Sequence, residues 1–164
     1  MAFGFPLYID LKGNNCVVIG GGRSAANRVR ALLKFGALIT VISPTLCDQL
    51  RELDSAGKIR YIPRRYYRGD CTNAYLCIAA TDVESVNIAV SDECKAKGIP
   101  VNVVRPAAFG NFSFPAVVLY GNITISVSGN IGSEKLQYLC TQIERQLPDL
   151  MKETDDSNNC LTRE

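Results

Sequence analysis

The sequence predicts an α/β fold in which a parallel five-stranded sheet is followed by a small strand–strand–helix segment. Three observations carry this prediction: short apolar runs alternate with stretches of helical spacing, glycines follow several of these elements, and the pattern changes after Arg105. Alternating strands and helices form parallel sheets with right-handed crossovers. With 164 residues, 47% of them hydrophobic, the chain is large enough to bury a core.

The first half of the chain holds the clearest alternation of strands and helices. Residues 16–19 form an apolar, β-branched run that ends in three glycines, which is typical of a buried parallel strand. The elements predicted after it are a helix over residues 24–35, a strand at Leu38–Ile42, a helix over residues 46–55 and a more polar edge strand over residues 59–62.

The alternation continues through two more strands, predicted at residues 75–80 and 99–104. The helix between them is expected to be capped by Asp82 and to run to Lys97, where Gly98 follows. Because all these strands are parallel, their carboxyl ends share one edge of the sheet, where ligands bind in such folds.

After Arg105 the pattern changes to two strands and one helix. The strands are predicted at residues 117–120 and 123–127 around a Gly121-Asn122 turn, and the helix at about residues 133–147 before Pro148. The sequence therefore predicts three regions: a nucleotide-binding domain at residues 1–111, a second segment at residues 112–148, and a polar, disordered tail at residues 149–164.

Composition argues against nucleic acid, membrane and metal as partners. Eighteen basic and sixteen acidic residues give a net charge of +2, which is too balanced for nucleic-acid binding by charge, and the cluster of Arg64, Arg65 and Arg68 is interpreted as a solvated loop. No apolar run reaches the ~18 residues of a membrane span, and residues 1–8 lack a signal-peptide pattern. The seven cysteines include no Cys-x-x-Cys pair and histidine is absent, so we expect a reduced, cytoplasmic protein without a metal site.

The turn after the first strand carries the main functional signal. Gly20, Gly22 and Ala25 follow the Gly-x-Gly-x-x-Ala pattern between a strand and a helix. In a Rossmann-type turn the first glycine permits the bend, the second lets a pyrophosphate approach the backbone, and the third small residue lets helix and strand pack closely. Amides at the helix N-terminus face the phosphates. We therefore predict that NAD binds here, in contact with Gly20, Gly22, Arg23 and Ser24.

The other predicted cofactor contacts lie at the carboxyl ends of the neighbouring strands. A Rossmann domain usually places an acidic residue about 20 residues after the glycine turn to bind the ribose, but Ser43, Pro44 and Thr45 stand there in this chain. Ser43 or Thr45 can bind the ribose instead, and the choice between NAD and NADP stays open. Ala80 and Thr81 end the fourth strand and complete the predicted cofactor site.

Five motifs occur in a fixed order and spacing: Phe-Pro-Leu-Tyr-Ile-Asp-Leu-Lys-Gly at residues 5–13, Val-Ile-Gly-Gly-Gly at 18–22, Ile-Ala-Ala-Thr-Asp at 78–82, Val-Asn-Val-Val at 101–104 and Phe-Pro-Ala at 114–116. Together they resemble the precorrin-2 dehydrogenase family, which is also the N-terminal dehydrogenase and ferrochelatase module of sirohaem synthase. The resemblance covers roughly residues 3–148.

This resemblance implies a reaction and an assembly. In the family, precorrin-2 is oxidised to sirohydrochlorin with NAD as hydride acceptor, in sirohaem biosynthesis, and some members also insert iron. The family is homodimeric, and residues 112–148 would supply the dimer interface and part of the tetrapyrrole cleft. Ser128 matches a family position near that cleft and is therefore a candidate substrate-binding residue.

Arg105 departs from the family pattern, in which an aspartate proposed to act in dehydrogenation and chelation directly follows the Asn-Val-Val run. An arginine stays charged and accepts no proton, but it can pair with the carboxylates of precorrin-2. Arg105 is thus a candidate catalytic and substrate-binding residue, and iron insertion is not expected. Asn102 is the other candidate catalytic residue. It either orients the nicotinamide or bonds to the backbone, and the sequence leaves both alternatives open.

Two hypotheses follow from these departures. One is an active NAD-dependent precorrin-2 dehydrogenase. The alternative is a degenerate homologue that binds NAD or tetrapyrrole without turnover, which is favoured by Arg105 and by a polar tail where family members continue into a helical module. A Thr-Ser-Pro-like stretch of the family is also replaced, at residues 132–135. A general NAD-sensing module fits less well, because the Phe-Pro-Ala motif at residues 114–116 lies outside the nucleotide-binding part.

Overall fold

The computed structural model describes residues 4–129 and 131–161, which fall into two compact units. We call residues 7–113 the sheet unit, and residues 4–6 with those from Phe114 onward the hairpin unit. In chain order the elements are β1 (Asn15–Ile19), α1 (Arg23–Leu33), β2 (Leu38–Ile42), α2 (Asp48–Ser55), β3 (Arg60–Ile62), β4 (Leu76–Ala79), α3 (Glu84–Ala96), β5 (Val101–Val103), a short 3-10 helix (Ala107–Phe109), β6 (Ala116–Tyr120), β7 (Ile123–Val127) and α4 (Ser133–Leu161).

Five parallel strands in the order β3-β2-β1-β4-β5 form the sheet of the sheet unit. The central strand β1 pairs with β2, where Asn15 faces Leu38, and with β4, where Cys16 faces Leu76. The chain crosses from β3 to the other side of β1 to begin β4, so the strand order reverses there. The predicted fold class, a Rossmann-type sheet followed by two strands and a helix, is confirmed. The crevice beyond the carboxyl ends of β1 and β4 is the expected ligand position.

The core of the sheet unit lies on both faces of its central strands. β4 is buried along its whole length, and β1 is buried from Cys16 to Ile19. This explains why these strands are continuous apolar runs rather than alternating ones. On α1 the buried residues Ala25, Val29 and Leu32 recur at helical spacing, so the helix presents one apolar stripe and keeps its other side in water.

The hairpin unit has a simpler construction. β6 and β7 pair antiparallel, from Ala116 opposite Val127 to Tyr120 opposite Ile123. Gly121 begins the connecting turn with φ of +57°, a conformation that favours glycine. One face of α4 packs on the hairpin, around a small core of Val118, Cys140 and Leu147.

The predicted end of α4 at Pro148 is wrong. The helix continues to Leu161, so residues 149–161 are helical rather than a disordered tail, and residues 162–164 lie outside the described residues. A proline inside a helix removes one hydrogen bond and crowds one carbonyl. Leu150, Met151 and Lys152 behind it are strong helix formers, and Lys152 Nζ lies 3.3 Å from Asp149 Oδ1 one turn earlier.

The start of α3 also differs from the prediction. The helix begins at Glu84 with Val83 as its N-cap, and no side chain caps it, so Asp82 does not have the predicted role. Instead, the Val83 amide donates a hydrogen bond to the Thr81 hydroxyl at 3.2 Å. In the part of the chain that the structure describes, no helix is both long and apolar enough to cross a membrane.

Candidate active site

Gly20 and Gly21 are required by close packing around the turn after β1. Gly20 has φ of +121°, and a Cβ on it would collide with the carbonyl of Ala80. A Cβ on Gly21 would collide with the carbonyl oxygen of Thr45 and would lie 2.8 Å from Ser43 Oγ. The end of β1 therefore lies directly against the end of β4 on one side and the loop after β2 on the other.

Gly22 has no such packing requirement. It is the N-cap of α1, and its φ of −86° and ψ of −175° are extended values that any residue adopts. Apart from its chain neighbours and the backbone of α1, no atom of the described residues lies within 4 Å of a Cβ built on it. The space above Gly22 is open, which is the condition that a phosphate approaching the backbone requires.

The backbone amides at the start of α1 are also available to an anion. The first hydrogen bond within the helix runs from the Ala26 amide to the Gly22 carbonyl, at 3.0 Å. The amides of Arg23, Ser24 and Ala25 precede it and have no acceptor within the helix, and no side chain caps α1. Open space at Gly22 and unpaired amides beside it fit the pyrophosphate of a dinucleotide.

The loop after β2 carries the predicted ribose contacts to this turn. Ser43 is buried, whereas Pro44 and Thr45 are exposed. The Cys47 amide donates to the Gly21 carbonyl at 2.7 Å, and the Tyr61 hydroxyl donates to the Pro44 carbonyl at 3.1 Å. These bonds hold the loop beside the glycine turn, so the predicted ribose and pyrophosphate residues are neighbours.

A buried asparagine that sequence reasoning missed organises the end of β4. Asn87 on α3 is fully buried, and its Oδ1 accepts from the Thr81 amide at 3.1 Å and from the Thr81 hydroxyl at 2.8 Å. Its Nδ2 donates to the carbonyls of Thr81 at 2.9 Å and Arg105 at 2.8 Å. The Ala80 amide donates to the Ile19 carbonyl at 2.8 Å, which keeps this edge next to β1. The sequence did contain a signal, because Asn87 lies three positions before Val90 in a predicted helix, a spacing that places both on one face. In the structure this face of α3 is buried.

Both polar atoms of the Asn102 side-chain amide form hydrogen bonds within the sheet unit. Its Nδ2 donates to the Phe112 carbonyl at 3.1 Å, and its Oδ1 accepts from Arg28 Nε at 3.1 Å. Arg28 also donates to the Ser24 carbonyl at 3.1 Å, and burial lowers the pKa of its guanidinium. Asn102 therefore bonds to the backbone and supports the start of α1 through Arg28, which sequence reasoning missed. A direct contact with the nicotinamide stays a prediction.

Arg105 follows β5 and presents a charge that the described residues do not neutralise. Its side chain is exposed and makes no hydrogen bond or ion pair with any described residue, while its carbonyl is held by Asn87. Ser128, the other predicted substrate residue, is exposed just after β7 and belongs to the hairpin unit. The sheet unit thus brings together the predicted cofactor residues and Arg105 at one edge of the sheet.

Comparisons with known proteins bear on this edge. A family model described as "Putative NAD(P)-binding" matches residues 7–116. The siroheme synthase of Pseudoalteromonas atlantica is 37% identical over 145 residues, which are 88% of this chain and 31% of that protein. The siroheme synthase of Nitrosospira multiformis is 36% identical over 148 residues, with 87% and 31% covered. The chain thus spans about a third of the length of these relatives.

Among solved structures, one of "SirC, precorrin-2 dehydrogenase" is similar to this chain with a TM-score of 0.66 and 27% sequence identity. The similarity covers 89% of this chain and 70% of the other. It therefore extends over the sheet unit and into the hairpin unit.

Proposed function

The chain belongs to the NAD(P)-binding family whose model matches residues 7–116, and from this premise we propose that it oxidises precorrin-2 to sirohydrochlorin, with NAD as hydride acceptor, in sirohaem biosynthesis. The observation that carries the proposal is the open space above Gly22, next to unpaired helix amides. The similarity to SirC, which spans both units, supports the choice of substrate.

The proposed reaction removes a hydride and a proton from precorrin-2 and leaves one more double bond in the macrocycle. When bound, NAD supplies the hydride-accepting nicotinamide, and the proton goes to solvent. The chain contributes by holding the two reactants in the correct relative position. In this proposal the residues that hold the cofactor are Gly20, Gly22, Arg23 and Ser24 at the pyrophosphate, Ser43, Pro44 and Thr45 at the ribose, and Ala80 and Thr81 where β4 ends.

Arg105 is proposed to bind the substrate rather than to transfer a proton. Its guanidinium is exposed and has no partner among the described residues, and its fork of donors matches an acetate or propionate carboxylate of the tetrapyrrole. Because it cannot accept a proton, we expect slow turnover and no measurable iron insertion. Asn102 is proposed to act as a positioning residue through Arg28, and Ser128 to contact the tetrapyrrole.

The protein is further proposed to form a homodimer through residues 112–148. Leu119, Tyr138 and Leu139 leave 39%, 64% and 40% of their surface exposed in the hairpin unit. Apolar side chains grouped on one small unit are typical of a surface that a second copy covers.

Anaerobic incubation of precorrin-2 with the chain and NAD tests the proposed reaction. We expect the absorption of precorrin-2 to be replaced by that of sirohydrochlorin, with one NADH formed per product molecule. A parallel incubation with NADP identifies the preferred acceptor. Binding of both ligands without any product would support the alternative of a binding protein, and failure to bind either ligand would overturn both hypotheses.

A further inference from the structure

Three cysteine thiols that are distant in sequence meet inside the sheet unit. Cys71 lies in the loop after β3, Cys77 in β4 and Cys94 in α3, and their sulfur atoms all lie within 4.8 Å of one another. All three residues are completely buried. The sequence predicts no metal site because these cysteines have no characteristic spacing, but the fold brings them to one point.

The loop that contributes Cys71 is held in place by a buried carboxylate. Glu93 accepts hydrogen bonds from the amides of Gly69 at 2.9 Å and Cys71 at 3.2 Å, from the Tyr66 hydroxyl at 2.6 Å and from Lys97 Nζ at 2.8 Å. Three of these four bonds come from the loop that contributes Cys71, so Glu93 fixes the backbone around the thiols.

We propose that Cys71, Cys77 and Cys94 form a buried three-sulfur site that binds one Cu(I) ion. With metal–sulfur bonds of about 2.3 Å, three sulfurs around one ion lie about 4 Å apart. The observed separations, all within 4.8 Å, approach this value, so small side-chain movements suffice. Thiolates are the soft ligands that Cu(I) prefers.

The ligand set favours Cu(I) over Zn(II). A structural zinc site takes four ligands, whereas within the described residues no other cysteine, aspartate or glutamate joins the three sulfurs, and the sequence contains no histidine. Two carboxylates are adjacent to these cysteines in sequence, and both already accept hydrogen bonds. Asp70 accepts from Arg64 and from the Tyr67 amide, and Glu93 accepts four hydrogen bonds from the loop and from Lys97. An ion that accepts three sulfurs fits this arrangement.

Anaerobic titration of the reduced full chain with Cu(I), against a competing Cu(I) chelator, tests the proposal. The titration uses a Cys47→Ser/Cys160→Ser background. We expect one equivalent to bind, and X-ray absorption to show about three sulfur neighbours at about 2.3 Å. Zn(II) is expected to bind at least about tenfold more weakly. Nitrogen or oxygen neighbours, or equal affinity for Zn(II), would overturn the assignment.

Variants distinguish the site from simple packing of three small side chains. In the same background, Cys77→Ala should abolish the stoichiometric binding, while Cys16→Ala, at an equally buried cysteine of β1, should retain it. Far-UV circular dichroism checks that both variants fold. If Cys77→Ala does not fold, the X-ray absorption of the unmutated cluster and its thermal stabilisation by Cu(I) still decide the question. Equal Cu(I) binding by both variants would refute the proposal.

Discussion

The sheet unit and the hairpin unit bury their strands to very different extents. From Cys16 to Ile19 every residue of β1 is buried, so both faces of this strand lie in the core. Every residue of β7 remains half-buried, because the hairpin is covered by α4 on one side. Among the described residues, the core of the hairpin unit consists of Val118, Cys140 and Leu147.

The difference predicts that the two units depend on different sources of stability. Burial of apolar surface is the main favourable contribution to folding, and the sheet unit obtains it within one chain. The hairpin unit leaves apolar surface that a second copy can cover, so its stability is expected to depend on protein concentration. The predictions below test this contrast and the placement of the functional residues in each unit.

The largest expected effect comes from a matched pair of valines. Val18→Ala in β1 removes a fully buried side chain, and we expect a loss of about 2–4 kcal/mol in the free energy of unfolding, independent of concentration. Val118→Ala in β6 should cost less in dilute solution, and its cost should grow with concentration. Chemical denaturation at several protein concentrations measures both. If both variants lose the same free energy of unfolding at every protein concentration, the proposed difference between the two units is wrong.

Cofactor binding is expected to depend on the sheet unit alone. Gly22→Val places a side chain in the open space before α1, and we expect the Kd for NAD to rise about 10- to 100-fold because charge-assisted bonds to the pyrophosphate are lost. The fold should persist, since the backbone at Gly22 has ordinary angles. Calorimetric titration measures the affinity, and Gly22→Ala serves as the graded control. Unchanged affinity in Gly22→Val would show that the pyrophosphate lies elsewhere.

Arg105 tests whether the substrate is held from the sheet unit. Arg105→Ala should weaken tetrapyrrole binding by about 1–3 kcal/mol, since one charged hydrogen-bond partner is removed. Arg105→Asp should raise the rate of oxidation, because a carboxylate accepts a proton. Fluorescence titration with the tetrapyrrole and the anaerobic assay measure the two effects. If the unmutated protein oxidises precorrin-2 rapidly, and Arg105→Ala changes neither tetrapyrrole affinity nor the rate of oxidation, then Arg105 has no role in the site.

Association is expected to depend on the hairpin unit. Leu139→Glu introduces a charge on the exposed apolar side of α4, and the dimer Kd should rise at least about tenfold. NAD affinity should not change, because the cofactor residues lie in the sheet unit. Light scattering over micromolar concentrations measures the mass, and Glu144→Gln on the exposed part of α4 is the control. A monomer mass for the unmutated protein at all concentrations would refute the dimer.

The smallest expected effect is a pH dependence in the sheet unit. Two hydrogen bonds of 2.7 Å from Arg64 hold the pKa of Asp70 below its usual value, against the opposing effect of burial. A carboxyl with a lowered pKa stabilises the fold above its unfolded pKa of about 3.9, and this contribution is lost as pH falls through the folded value. Asp70→Asn should therefore flatten the acid limb of the stability curve. Asp92→Asn, at an exposed position of α3, serves as the control. Identical acid limbs would argue against the ion pair's contribution.

The sequence was sufficient to predict the sheet, because each of its elements is specified locally. Apolar runs such as residues 16–19 and the glycines between strands and helices follow from backbone sterics and burial. Local rules gave a wrong prediction at Pro148. The proline was interpreted as the end of α4, although strong helix formers follow it and the helix continues.

The connections inside the site could not be predicted, because they join residues far apart in sequence. Asn87 bonds to Thr81 and Arg105, and Arg28 bonds to Asn102 seventy-four positions away. Pattern reasoning places such residues on a helix face but does not say which carbonyl each will meet. The cluster of three cysteines could not be predicted either, since the distances between their sulfur atoms depend on the path of the loop after β3.

The bond from Asn87 to the Arg105 carbonyl has a consequence for substitutions at this position. It holds the main chain at this position without using the side chain, and the side chain itself makes no contact that the described fold requires. A substitution at position 105 therefore changes the side chain without removing the bond that holds the loop. The charge presented at this edge of the sheet can change while the backbone that carries it stays in place.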